Sequence, residues 1–143
     1  FMKTAVLFSE MSTCSRIGVG AVLVKNKRIV SCGFNGSPPG MLHCSDYFLG
    51  RKVTKEEHRE FSHKNELHAE QNLLMECVKN GINTEGTTIY LTLSPCNQCA
   101  KLILASGVKY VFYLDLYDRE TEGIELLKNN GVVCQQYNLG DNE

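Results

Sequence analysis

Helical and strand patterns alternate along this chain. Residues 2–11 carry apolar side chains at helical spacing, whereas residues 19–24 and 28–32 are β-rich and flank a short polar segment, which predicts a hairpin. In chain order, the pattern then predicts a helix at 65–79, a strand at 87–93, a helix at 94–106, a strand at 108–114, a helix at 121–129 and a strand at 132–136. This order predicts an α/β fold, a three-layer α/β/α sandwich with a mixed sheet.

Turn-forming and capping residues refine these boundaries. Ser94 and Pro95 suit the N-cap and the first position of the helix that follows them. Residues 33–50 contain four glycines and two adjacent prolines, so we expect a long loop there. Residues 51–64 are charged and their pattern assigns no element, while the strand at 108–114 is apolar enough for burial on both faces.

Composition and charge narrow the classes of function. The net charge is −1, from 15 basic and 16 acidic side chains, which gives no footprint for long nucleic acid. No apolar run approaches the roughly 20 residues of a membrane helix, and the N-terminal segment lacks a secretory signal. We expect a single cytoplasmic domain, residues 2–143, without a membrane partner, whose natural chain starts at Met2.

The cysteines indicate metal binding. Seven cysteines, an odd number, in a chain without a secretion signal argue against a disulfide framework. Cys96 and Cys99 are three residues apart at a predicted helix start, where the helix dipole lowers thiol pKa values. With His68 from another helix, they form a set of three zinc ligands that leaves the fourth tetrahedral position open to water, as in a catalytic site.

Glu70 supplies the acid–base chemistry that such a site needs. It stands two residues after His68, so it can approach the metal without ligating it. Its carboxylate can accept a proton from water and pass it to a ring nitrogen of the substrate. A lone Cys-x-x-Cys or His-x-Glu is weak, but their combination is the zinc deaminase signature.

Nearly the whole chain, from residue 2 to about 133, resembles deoxycytidylate deaminases, especially those of tailed bacteriophages. The segments that carry the resemblance are Val19-Gly20-Ala21-Val22, Gly33-Phe34-Asn35-Gly36-Ser37-Pro38, residues 64–70 and residues 90–101. The family usually has tyrosine where Phe34 stands. The resemblance implies a five-stranded sheet between helices and hydrolysis of dCMP to dUMP and ammonia, which supplies dUMP for thymidylate synthesis.

The resemblance also implies roles for individual residues. It assigns zinc to His68, Cys96 and Cys99 and the proton transfer to Glu70. It further implies that Asn35 holds the deoxyribose, that the Ala69 backbone contacts the pyrimidine and that Tyr117 reaches the 5′-phosphate. Phage members of the family can carry a second, structural zinc, and its ligand pattern matches Cys14, Cys44, His58 and Glu66.

Regulation is a further implication of the resemblance. It implies a homohexamer that is activated by dCTP and inhibited by dTTP, with Mg²⁺ accompanying the triphosphates and, for a phage gene, action in the host cytoplasm. Phe34, Asn35 and Gly36 are the implied effector contacts. Gly36 is able to adopt a positive φ and lets a ligand approach the backbone closely.

Other functions remain as alternatives. tRNA adenosine deaminases and single-strand DNA cytosine deaminases share the motifs, but their polyanionic substrates fit poorly with the net charge of −1. Nucleoside cytidine deaminases commonly use cysteine ligands alone, so His68 argues against them, whereas a dual dCMP and dCTP deaminase stays open. A zinc-stabilised interaction module has no use for Glu70 as a proton carrier.

Overall fold

The computed structural model describes residues 1–140, so the last three residues of the expected domain 2–143 lie outside the described part. The elements are α1 (Met2–Ser9), β1 (Gly20–Lys25), β2 (Arg28–Phe34), α2 (Cys44–Tyr47), α3 (Lys55–Asn65), α4 (Ala69–Asn80), β3 (Thr88–Leu93), α5 (Asn97–Ala105), β4 (Tyr110–Asp115), α6 (Glu122–Asn129) and β5 (Val133–Gln136). Within residues 1–140, no helix has the length and apolar character required to cross a bilayer.

One mixed sheet organises the fold. Its strand order is β2-β1-β3-β4-β5, with β1 antiparallel to β2 and β3, and with β4 parallel to both of its neighbours. The predicted hairpin forms, and the two residues between its strands, Asn26 and Lys27, have φ values of 51° and 61°. Positive φ at both turn residues matches the right-handed twist of hairpin strands.

Helices cover both faces of the sheet. The main core lies between one face and α4, α5 and α6, and its fully buried members include Leu23, Leu73, Ile89, Ile103 and Leu127. On the opposite face, α1 packs against side chains of β1, β3 and β4. The predicted three-layer α/β/α architecture with a five-stranded mixed sheet is therefore confirmed.

The segment between β2 and α4 contains more structure than predicted. β2 continues to Phe34, and α2 interrupts the expected loop. The charged segment that showed no periodicity forms α3, which buries only His58 and Phe61. A capping box stabilises its start, because Thr54 accepts the Glu57 N–H and the Glu57 carboxylate accepts the Thr54 N–H. The apolar pattern missed α3 because the helix has so narrow a buried stripe.

Two predicted helix starts and the predicted burial of one strand are wrong. α4 begins at Ala69 rather than at 65, because the preceding residues belong to α3 and its exit. α5 begins at Asn97, because Ser94 and Pro95 stay in the loop and Cys96 takes the N-cap position. β4 is buried at Val111 and Tyr113 only, since its other face meets the single helix α1 and stays half-buried or exposed.

Candidate metal centre and substrate cleft

The predicted metal ligands and Tyr117 lie where β3 and β4 end and α4 begins. Cys96 follows the carboxyl end of β3 and Tyr117 follows that of its parallel neighbour β4. The two loops are tied, because the Ser94 N–H donates to the Asp115 carbonyl at 2.8 Å and the Tyr117 N–H donates to the Ser94 hydroxyl at 2.7 Å. His68 enters as the N-cap of α4. The site lies at the carboxyl ends of parallel strands, where open α/β sheets bind ligands.

The imidazole and the two thiols converge on one point. His68 Nδ1 lies 3.4 Å from Cys99 Sγ and 3.6 Å from Cys96 Sγ. The three ligand atoms all lie within 4.8 Å of one another. One nitrogen and two sulfurs at this spacing suit a zinc ion with three protein ligands and one open tetrahedral position.

The two thiols differ in acidity because they contact each other. Hydrogen bonds from the Cys99 thiol, the His68 ring and the Cys99 backbone N–H together lower the pKa of Cys96 to about 4, against the opposing effect of burial. The same contact raises the pKa of Cys99 far above its usual value, since a thiol that hydrogen-bonds a thiolate keeps its proton.

Glu70 lies against the thiols in the protein interior. Its side chain is 4% exposed, and burial raises the pKa of its carboxyl. A hydrogen bond with Cys99 and the charge of His68 act in the opposite direction. A carboxyl group with a raised pKa, adjacent to a metal site, is suited to accept and release a proton within one reaction cycle.

A cleft of about 500 Å³ gives access to this site. Four of the predicted residues line it: His68, Cys96, Tyr117 and Glu66, the last of which is a predicted ligand of the second zinc. Lys64 and Glu120 line it too, and the sequence analysis missed both. Lys64 is the first residue of the resembling segment 64–70 and Glu120 stands in a charged loop, but charged side chains are usually solvated, so the pattern alone does not single them out.

The structure does not place Asn35 in the lining of this cleft. Asn35 is buried, and its side-chain Oδ1 accepts the Val19 N–H at 2.8 Å while its Nδ2 donates to the Ile17 carbonyl at 2.9 Å. These bonds fix the chain just before β1. The predicted contact of Asn35 with a deoxyribose stays a prediction.

Gly36 connects the predicted effector segment to the metal site. Its N–H donates to the Leu67 carbonyl at 3.0 Å and its carbonyl accepts the Leu67 N–H at 2.9 Å, directly before His68. A β-carbon at Gly36 would lie 2.7 Å from Thr13 Oγ1, and Gly36 is not among the glycines with positive φ. The glycine therefore permits a close approach within the protein and does not use the positive φ available to it.

Phe34 and Ala69 lie on either side of this connection. The Phe34 carbonyl, at the end of β2, accepts a hydrogen bond from Asn72 Nδ2 at 2.7 Å. Ala69 is fully buried at the start of α4. A β-carbon at Gly33 would lie 2.5 Å from the Ala69 carbonyl oxygen, so this glycine lets α4 pack closely on β2.

A second cluster of ligand-type side chains lies near α2 and α3. The ligand atoms of Cys14, Cys44 and His58 lie within 4.8 Å of one another, and Cys14 Sγ is 3.3 Å from His58 Nε2. Burial raises the pKa of Cys14 and lowers that of His58. Two sulfurs and a neutral imidazole are ligands that suit structural zinc.

Glu66 is the fourth predicted ligand of this cluster and has an unusual environment. Both of its carboxylate oxygens are buried without a hydrogen-bond partner, the only such side-chain atoms among residues 1–140. Its charge acts on both Cys14 and His58, although it is outside the group of three defined by mutual distance. A buried, unpaired carboxylate is costly, and a cation at this point would satisfy it.

Comparison with known proteins agrees with this geometry. The family described as the cytidine and deoxycytidylate deaminase zinc-binding region matches residues 1–115. The deoxycytidylate deaminase of Enterobacteria phage T4 is 37% identical over 92% of this chain and 84% of its own, and ComE operon protein 2 of Bacillus subtilis is 36% identical over 99% of this chain and 71% of its own.

A solved structure shows the same fold. The dCMP deaminase of cyanophage S-TIM5, in complex with dCMP and dUMP, superposes with a TM-score of 0.79 at 39% identity, covering 95% of this chain and 93% of that one. The resemblance inferred from the motifs is thereby confirmed. This chain therefore belongs to the cytidine and deoxycytidylate deaminase family, which is defined by a zinc-binding region.

Proposed function

We propose that this chain hydrolyses dCMP to dUMP and ammonia in a single catalytic domain, residues 2–143, and so supplies dUMP for thymidylate synthesis. The observation that carries the proposal is the buried Glu70 carboxyl against the His68, Cys96 and Cys99 cluster at a solvent-accessible cleft. The phage T4 relative and the cyanophage neighbour, both dCMP deaminases by name, support the choice of substrate.

His68, Cys96 and Cys99 would hold the zinc, and Glu70 would move the proton. A zinc ion held by these ligands would lower the pKa of a water molecule and so would supply a nucleophile at neutral pH. Glu70 would accept a proton from this water and deliver it to a ring nitrogen of cytosine, which would make the carbon that bears the amino group more electrophilic. The Ala69 backbone, at the start of α4, contacts the pyrimidine.

Lys64 and Tyr117 are suited to recognise the 5′-phosphate. Both line the cleft, and Lys64 is an exposed lysine at the end of α3. We expect Lys64→Ala to raise the KM for dCMP by about tenfold, since a hydrogen bond to a charged group contributes about 1.5–3 kcal/mol. The KM for deoxycytidine, which lacks the phosphate, should change little, and Lys79→Ala on the exposed surface of α4 serves as the matched control. Equal effects on both substrates would contradict this role.

The substrate itself is tested by ammonia release from a panel of dCMP, dCTP, deoxycytidine, CMP and adenine nucleotides. We expect dCMP to have the highest kcat/KM. A preference for dCTP equal to that for dCMP would identify the dual deaminase instead. Turnover of adenine substrates alone would overturn the proposal.

We further propose that dCTP activates and dTTP inhibits a homohexamer, with Mg²⁺ accompanying the triphosphates, through the segment of Phe34, Asn35 and Gly36. The paired hydrogen bonds of Gly36 with Leu67 support this proposal, because a shift of this segment would move the residue next to His68. Exposed apolar side chains on α4, such as Val78 at 73%, support an assembly that covers them.

Regulation predicts a specific kinetic result. Rate curves against dCMP should shift in opposite directions with dCTP and with dTTP, by a coupling of about 1–3 kcal/mol. Steady-state rates with and without each triphosphate and Mg²⁺ measure this directly. If both triphosphates only compete with dCMP, the regulatory proposal is wrong and the deaminase proposal is unaffected.

A further inference from the structure

Glu120 lies where the loop after β4 meets the start of the cysteine-bearing helix. Its side-chain Oε1 accepts the backbone N–H of Asn97 at 2.8 Å. Asn97 is the first residue of α5 and directly follows Cys96. The first N–H groups of a helix have no partner within the helix, and this contact supplies one from 23 positions further along the chain.

The N-cap residue of α5 is a weaker hydrogen-bond acceptor than Glu120. Cys96 occupies the N-cap position, and its Sγ accepts the Cys99 N–H at 3.5 Å. Sulfur is a weak hydrogen-bond acceptor, and as a metal ligand it has little capacity left for capping. A carboxylate at the helix N-terminus also interacts favourably with the helix dipole. Glu120 is therefore the strong acceptor that holds this end of α5.

The start of α6 packs against the peptide that joins Cys96 to Asn97. Gly123 is buried, and a β-carbon there would lie 2.9 Å from the carbonyl carbon of Cys96. Glu120 and His68 also line the same cleft. Glu120 and Gly123 thus both lie against the peptide that joins Cys96 to Asn97.

We propose that Glu120 is a positioning residue that orients Cys96 through the Asn97 N–H and thereby sets how firmly the cluster of His68, Cys96 and Cys99 retains zinc. Partners that orient metal ligands typically change metal affinity or activity by about 10–100-fold when they are mutated. The inference rests on the zinc assignment in the proposed function.

The test measures zinc release to a chelating dye from the purified full chain. The release phase of this site is identified as the one that is missing in Cys99→Ser. We expect Glu120→Ala to speed that phase by about 10–100-fold. Glu120→Gln keeps an oxygen that accepts the Asn97 N–H and should stay within about threefold of the unmodified chain. Glu125→Ala, an exposed site on α6, is the control for loss of a negative charge.

The outcomes separate the positioning role from the zinc assignment. If Cys99→Ser removes no release phase, the zinc assignment itself is wrong. If it does, but Glu120→Ala releases zinc at the same rate as Glu125→Ala, only the positioning role is overturned. A fall in melting temperature for Glu120→Ala with unchanged zinc release would show a merely structural contact and overturn it too, as would a Glu120→Gln variant as impaired as Glu120→Ala.

Discussion

Glu70→Gln is expected to lower the kcat for dCMP by about 10²–10⁴-fold while the protein keeps its fold and its zinc. The amide fills the same buried space beside Cys99, but it cannot accept a proton from water and return it to the substrate. The more drastic Glu70→Ala should lose nearly all turnover as well. Turnover is measured as ammonia release, and zinc content is measured on the same samples.

Two controls separate loss of proton transfer from loss of charge or of substrate binding. Glu76→Gln, on the exposed surface of the same helix, should leave kcat unchanged. The KM for dCMP should change far less than kcat, because proton transfer acts on the chemical step. A folded, zinc-loaded Glu70→Gln protein with normal kcat would remove Glu70 from the mechanism.

The cluster of His68, Glu70, Cys96 and Cys99 was predictable because its members stand close together in the sequence at characteristic spacings. His68 and Glu70 share one helix start, and Cys96 and Cys99 share the next, so local spacing already restricts how their side chains can face. The sheet was predictable for a similar reason, since short β-rich runs between turn residues are typical of buried strands. Where one chemistry demands several residue types at fixed spacing, the sequence alone is informative.

The remaining features depend on contacts that no local pattern encodes. Glu120 reaches Asn97 across 23 residues, and the Ser94 hydroxyl accepts the Tyr117 N–H instead of capping α5. α3 is different, because the capping box of Thr54 and Glu57 is a local signal in the sequence, and the helix escaped detection because it buries few apolar groups. Tertiary hydrogen bonds override local capping preferences at Ser94 and Glu120, and these bonds join residues that are distant in the chain.

The second large expected effect is the loss of the predicted structural zinc. Cys44→Ser should reduce the zinc content from about two ions per subunit to about one, because serine replaces a thiolate ligand. We expect the melting temperature to fall by about 10 °C, since metal binding contributes to folding free energy. Cys77→Ser, a buried cysteine outside both clusters, should keep both ions. A zinc content near one that does not fall in Cys44→Ser would remove the second site.

Glu66→Gln tests this site, because the direction of its effect on the melting temperature depends on whether zinc is bound. Without a metal, its buried and unpaired carboxylate destabilises the fold, so Glu66→Gln should raise the melting temperature by removing a buried charge. With a zinc ion held by Cys14, Cys44 and His58, the same substitution removes the charge that the cation attracts, so the melting temperature should fall together with the zinc content. We expect the fall. Thermal unfolding of Glu66→Gln and of the unmodified chain, each with and without prior chelation, measures the direction of the change in both states. A variant that is more stable than the unmodified chain before chelation would contradict the structural zinc.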